Sequence, residues 1–565
     1  MAGGAGEQGI GAAAAPSGRG AVRALWPAVA LAVAALVVLP VAAVVWIALH
    51  PAGNIWPHLV ATTLPRYLAN TAYLALGVAI LTAACGTGAA WLVTMYRFPG
   101  SSWIEWALFL PLAVPAYVGA YAVTDFLDYA GPVQSGLRGV FGWTSAQDYW
   151  FPQIRSRGGA VLVLSAALYP YVYLLARAAF REQAAGSFEV ARALGAGPWG
   201  TFLRVALPLA RPAIAIGVAL AVMETVNDYG VVSYFAVQTL TTGIFNVWLV
   251  SADPGGAAQL ACVVLAVMIL LLAVERRGRR RARFFSQPRG GRPVTPQRLT
   301  GARGWIAAVL CIVPVLAGFV LPAGVMLAIA AGNPAGWLNP GLLSALWNTI
   351  AVGGMAALAS VGLAVVMVYG VRQGGTRALR LLLPVTTLGY AVPGAVLAVG
   401  LLIPLAALDH RIADAIAAAT GRDPGLILTG TAFAIALAYV VRFFALAQGA
   451  AETAFQRVPP SLSYAARSLG ETAGGTLRRV HLPIMRGSVL TALLLVFVDC
   501  AKELPATLLL RPFNYETLAT RAHEKASLEN LRDAAPAALL VVAVGLIAVA
   551  ILGGAQGRRA LARAG

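Results

Sequence analysis

Two apolar stretches carry acids that a lipid interior disfavours, and they carry them in the same pattern. One reads AVMETVNDYG, with Glu224, Asn227 and Asp228; the other reads FVDCAKELPA, with Asp499, Lys502 and Glu503, each 275 positions after its counterpart. A spacing of i, i+3, i+4 places each trio on one helical face. A charge at the bilayer centre costs on the order of 2.5–3.5 kcal/mol on insertion scales, so such a face should turn to a bundle interior or a wet cavity. If all ionise, the six positions carry a formal charge of −3. Two roles fit. One is a cation-tolerant translocation surface between two halves. The other is a structural network in which Lys502 pairs with Asp499 or Glu503 and Asn227 is bonded across. They are compatible, because a gate can be built from ion pairs.

The elements that position these residues are membrane helices. The 565 residues are 59% hydrophobic and 11% charged, against about 25% charged in soluble domains. Twelve apolar runs are long enough to cross a hydrocarbon core of about 30 Å: 25–48, 70–95, 103–124, 159–179, 213–235, 257–274, 304–330, 348–371, 381–407, 427–449, 488–508 and 534–553. Backbone groups in lipid must be satisfied within the segment, so the fold class is an all-α polytopic membrane protein. With the N-terminus inside, the inner segments hold most of the 41 Lys and Arg and a minority of the 22 acids, as the positive-inside rule requires. This topology accounts for the net +19 without nucleic acid. The basic run Arg276 to Arg283 follows an apolar segment directly, where such residues anchor a helix to anionic lipid. Glu224 lies 12 residues beyond Pro212, or about 18 Å along a helix. Asp499 lies 13 beyond Arg486, or about 20 Å. Both trios therefore belong past the midplane, towards the outer side. Cys85, Cys262, Cys311 and Cys500 all fall in apolar segments without CxxC spacing. No disulfide, metal or cofactor set follows from them.

The chain is written twice. FEVARALGAGPWGTFLRVALP (Phe188–Pro208) and SYAARSLGETAGGTLRRVHLP (Ser463–Pro483) share Ala-x-x-x-Gly, nine residues, then Val-x-Leu-Pro: Ala191, Gly195, Val205 and Pro208 against Ala466, Gly470, Val480 and Pro483. Asn70-Thr71 recurs as Asn348-Thr349, and Pro115 as Pro393, both at an offset of 278. Six spans per copy give both the same orientation, and the route of a duplicated transporter lies at the repeat interface. The expected organisation is a disordered segment at 1–24, repeats at 25–275 and 304–555, a basic linker at 276–303 containing Pro288, Pro293 and Pro296, and a basic tail at 556–565. The first apolar run is longer than a signal-peptide core and reads as a retained helix. Within the loops, Arg177, Arg181, Arg192, Arg204 and Arg211 face Arg442, Arg457, Arg467, Arg478, Arg479 and Arg486 in the twin. Ser187 and Ser461 are placed as N-caps. Gly195 and Gly470 suit a left-handed helix end, Pro198 begins the next helix, and Pro208 is placed to bend or stop it.

The paired loops resemble the EAA motif of bacterial ABC importer permeases, and the resemblance extends over most of the chain. Leu110–Phe126, Met223–Leu249 and Lys502–Ala522 look like the fused ferric-iron permeases of that group. The resemblance implies two tandem six-helix type I (MetI-like) repeats in the bacterial inner membrane. It also implies two ABC ATPase subunits seated on the loops and a periplasmic or lipid-anchored binding protein that delivers ferric iron. Glu189 matches the family's glutamate, where the second copy has Tyr464; Ala191, Ala465 and Ala466 would permit close packing against the ATPase. The chain has no GxxxxGK[ST] loop, so hydrolysis belongs to the partner and the chain is not an enzyme. Permeases for thiamine, phosphonate or polyamine share the plan. An ion-coupled secondary transporter would fit the duplication and the acids but leaves both loops unexplained.

Overall fold

A computed structural model describes residues 18–183, 185–282, 295–374, 376–387, 389 and 392–561. Residues 1–17 of the N-terminal segment, 283–294 of the linker (with Pro288 and Pro293) and 562–565 of the tail lie outside the described residues. Among those described, eleven helices are long and apolar enough to cross a membrane, twelve if one bent pair is counted as a single span.

That pair corrects the third run, read as one straight helix. Ser101–Ala113 and Ala116–Phe141 meet at 97°. The cause is Pro115: it lacks an N–H, and its ring drives the preceding Val114 to extended backbone, φ −97° and ψ 117°, away from the helical well. Pro393 holds the equivalent place as N-cap of Gly394–Thr420.

The fifth and eleventh spans differ from their apolar runs at both ends. They run Pro198–Asn227 and Ala473–Lys502, starting within the loops and stopping before residues 235 and 508. Each begins with a four-residue α-turn and passes through a π-turn, Phe202–Ala206 or Leu477–His481. Pro208 and Pro483 follow one residue later. A proline ring crowds the carbonyl four residues back, and a wider turn makes room for it. The two prolines therefore neither stop nor break the helix. At about 1.5 Å per residue, each span is a rod of roughly 45 Å from the loop to the acids.

Beyond the acids, short helices fold back: Gly230–Tyr234 and Leu240–Phe245 in the first half, Pro505–Leu510 and Leu518–Ser527 in the second. The Asn-Thr repeats hold them. The second span starts at Leu64, so Asn70 and Thr71 lie inside it rather than opening it. Asn70 Nδ2 donates to the Gln238 carbonyl at 2.7 Å, and the Leu240 N–H donates to Thr71 Oγ1 at 3.1 Å. Asn348 and Thr349 bond Glu516 and Leu518 at 2.9 and 2.8 Å. Thr239 with Thr242, and Thr517 with Thr520, close reciprocal capping boxes at the same offset.

The halves interlock. Ala30, Ala34, Val37 and Val44 of the first span share a buried cluster with Val361, Val365 and Val368 of the eighth. Met326 and Ala330 of the seventh lie in a cluster with Val118 and Leu164 of the first half. Close backbone approach marks both crossings: a Cβ on Gly400 would collide with the Pro40 carbonyl, and one on Gly318 with that of Ala166. Small residues permit such contacts where lipid supplies little drive for association.

Candidate functional site: a cavity between the halves and two loop hairpins

A cavity of about 170 Å³ lies between the halves, lined by Glu224, Asn227 and Asp228 from the first and by Asp499, Lys502 and Glu503 from the second. The structure thus brings all six acid-run residues to one place, but not on one helical face each. The helices end at Asn227 and Lys502, so Asp228 and Glu503 are the C-caps. Their carboxylates turn to the short helices that follow. Asp228 Oδ1 accepts from the N–H groups of Val231 and Val232 at 3.0 and 3.2 Å. Glu503 accepts from the N–H groups of Ala506 and Thr507, both at 3.1 Å, and from Thr507 Oγ1 at 2.9 Å. A helix N-terminus leaves unpaired N–H donors and a positive dipole end, and each carboxylate serves both.

The charges divide unevenly. Arg442 Nη1 donates to Glu503 Oε1 at 2.9 Å, and that glutamate side chain is 1% exposed. Arg442 is therefore not a residue of the cytoplasmic loop, where the basic pattern had placed it. It sits within Phe433–Gln456 and lines the cavity. Arg177 likewise leaves the loop set: it is buried near the end of the fourth span and paired with Glu105. Lys502 Nζ lies 3.5 Å from Asp499 Oδ1 and reaches across the halves to the Leu112 carbonyl at 3.4 Å. Leu112 precedes the break at Pro115, where the helical ladder no longer takes up every carbonyl. Asn227 is not bonded across: its Oδ1 is buried and finds no partner among the described residues, and neither does Tyr117 Oη. Both groups line the cavity. Four carboxylates face two cations there, a formal −2.

At the opposite end of the rods from the acids, each loop forms a helix that turns sharply into a rod. The helices are Ala185–Ala193 and Pro460–Ser468. Neither serine caps them: Ser187 lies inside the first turn, and Pro459 precedes a proline at N1, whose missing N–H needs no cap. The Ala-x-x-x-Gly spacing is a Schellman turn. The Gly195 N–H bonds the Arg192 carbonyl and that of Ala196 bonds Ala191, both at 2.9 Å. Gly470 and Glu471 repeat the pattern on Arg467 and Ala466 at 3.0 Å. Gly195 and Gly470 have φ of +82° and +88°, and a Cβ on either would meet nothing within 4 Å. Backbone conformation alone requires glycine at these two positions.

Ala191 and Ala466 face inward, 8% and 7% exposed, so they pack on their own chain rather than present a surface to a partner. Glu189, Val190 and Leu194 face outward in the first loop, and Tyr464, Ala465 and Leu469 in the second. The leucines are 83% and 86% exposed. The repeat of Leu before Gly at an offset of 275 is the signal that identifies them. Inner anchorage differs: Phe188 packs near Trp91 with ring centroids 6.2 Å apart, whereas Ser463 Oγ bonds His481 Nε2 at 3.0 Å.

Comparison with known proteins joins these features. The chain is 27% identical over 502 residues to the Fe(3+)-transport system permease protein FbpB 2 of Haemophilus influenzae, covering 86% of this chain and 89% of that one. It is 29% identical over 192 residues to the molybdenum transport system permease protein ModB of Escherichia coli, or 33% of this chain and 80% of that one. It is also 27% identical over 194 residues to the sulfate transport system permease protein CysT of Escherichia coli, or 32% and 65%. Matched by the family profile at residues 83–284 and again at 360–560, this multi-pass chain of the bacterial inner membrane belongs to the binding-protein-dependent transport system inner membrane component family.

Proposed function

We propose that the chain is the permease of an ATP-driven importer whose cargo is ferric iron, handed over by a periplasmic or lipid-anchored binding protein. The observation that carries the cargo is the extent of likeness. The Fe(3+)-transport relative aligns along 86% of the chain, whereas the molybdenum and sulfate relatives cover about one repeat. The cavity supports a cation as well: a sulfate ion would enter against its formal −2, because low-dielectric walls focus the field of the lining charges.

Energy enters at the hairpins. Two ATPase subunits seat on the outward residues Glu189, Val190 and Leu194, and Tyr464, Ala465 and Leu469. Ala191, Gly195 and Pro208, with Ala466, Gly470 and Pro483, maintain the shape of the hairpins and their continuity with the rods. ATP-driven closure of the subunits shifts both rods, which carry Glu224 and Asp499 near their far ends, and the halves rock about their interface. Lys502 on the Leu112 carbonyl acts as a latch between them. Glu224, Asn227, Asp228 and Asp499 attract the cargo, and Glu503 is held by Arg442. The chain hydrolyses no ATP itself.

The test is uptake of radiolabelled ferric iron into vesicles holding the permease with its ATPase subunits and binding protein. Uptake should require ATP and both partners. Uptake without ATPase subunits that stops when an ion gradient is collapsed would replace this reading with a secondary transporter.

A further inference from the structure

The end of the linker is bound to the first hairpin. Gln297–Arg298 forms a two-residue parallel strand with Tyr96–Arg97, and the Leu299 N–H donates to the Arg97 carbonyl at 2.8 Å. A Cβ on Gly304 would lie 2.7 Å from the Leu299 carbonyl and 3.2 Å from Pro99 Cδ, so the chain enters the seventh span pressed against the 96–100 turn. With the Gln297 side-chain oxygen turned towards it, Arg192 donates through Nη1 and Nη2 at 2.6 and 3.2 Å. Arg192 also supplies the carbonyl that accepts the Gly195 N–H. Tyr96 senses the same guanidinium: burial pushes its phenol up and Arg192 draws it back down.

The second half meets the same need from another place. Arg467, 275 positions after Arg192, supplies the carbonyl for Gly470 and donates through Nη2 to Gln373 Oε1. Gln373 ends the eighth span. Its counterpart 278 positions earlier is Met95, a buried apolar side chain without a strong acceptor. The first half therefore borrows from the linker an oxygen that the second half carries on its own span.

We infer that linker residues 297–299 form part of the first ATPase-docking site, with Gln297 a positioning residue that orients Arg192 and the helix bearing it. This rests on the hairpins being docking sites. The linker then does more than tether two repeats: it makes the first hairpin depend on the fusion, while the second is self-sufficient.

Hydrogen exchange on the full-length permease without partners reads the clamp directly. Gln297→Ala should speed exchange over residues 185–195 by roughly three- to tenfold, the range expected for losing one charge-assisted bond at a surface, and leave 460–470 unchanged. Gln297→Glu retains an oxygen acceptor and should restore slow exchange, whereas Gln373→Ala should loosen 460–470 only. ATP-driven uptake in vesicles with the ATPase subunits should fall for Gln297→Ala and recover for Gln297→Glu. Unchanged exchange over 185–195, or an equal rise with Ala and Glu, would overturn the inference. If exchange responds as expected but wild-type vesicles show no ATP-dependent uptake, the docking reading fails, and with it the coupling role of Gln297, leaving only the clamp.

Discussion

Gly195 and Gly394 show two different reasons for a glycine. At Gly195 the space is open and the constraint is φ +82°. Gly195→Ala should therefore cost about 1–2 kcal/mol and lower ATP-coupled uptake, while Gly195→Asn retains more of both; thermal unfolding in detergent alongside uptake checks this. At Gly394 the space is filled: a Cβ would collide with Arg442 Nη1 and Glu503 Oε1. That ion pair yields a second test. Arg442→Met leaves a carboxylate at 1% exposure without its cation and should cost about 3–5 kcal/mol. Adding Glu503→Gln should recover most of that loss, and equal losses in the single and double variants would show that the pair matters little. The turn chemistry of Gly195 was legible in its spacing. Arg442 was misplaced because a cation near an apolar boundary reads as a loop residue until its partner, 61 positions away, is known.

The short outer helices and the two rods decide where the acids point. Hydropathy runs on past Asn227 and Lys502 because the segments beyond, such as VVSYFAV at 231–237, are themselves apolar. Periodicity therefore merges the span and the returning helix into one run. It also misses the inner ends, where Arg204 and Arg211 lower the hydropathy although the helix continues. The Asn-Thr dipeptides were visible as a repeat, but their task was not, since their bonds close over 168 and 169 positions. Thr71→Val and Thr349→Val leave the N–H groups of Leu240 and Leu518 without acceptors, which costs about 1–3 kcal/mol each. Both should lower the unfolding temperature, and Thr→Ser at either site should restore it; full stability of the valine variants would remove this role.

For the whole molecule, interlocking first and seventh spans make the halves one body with a charged seam. If that seam is the path, Glu224→Gln with Asp499→Asn should cut ferric uptake several-fold, since low-dielectric walls focus the field of the lining charges on a passing cation. ATPase-subunit binding should be retained. Unchanged uptake with a lower unfolding temperature would make the acids structural. Membrane class, duplication and the left-handed turns followed from the sequence by itself, because each is written in composition, in a repeat or in a short local pattern. Only the tertiary structure decided that both trios meet in one cavity, that Ala191 and Ala466 turn inward while the adjoining leucines turn out, and that Gln297 completes the first hairpin. The reason is physical: those outcomes depend on contacts closed across distant segments, and which distant groups meet is set by the packing of all the helices together.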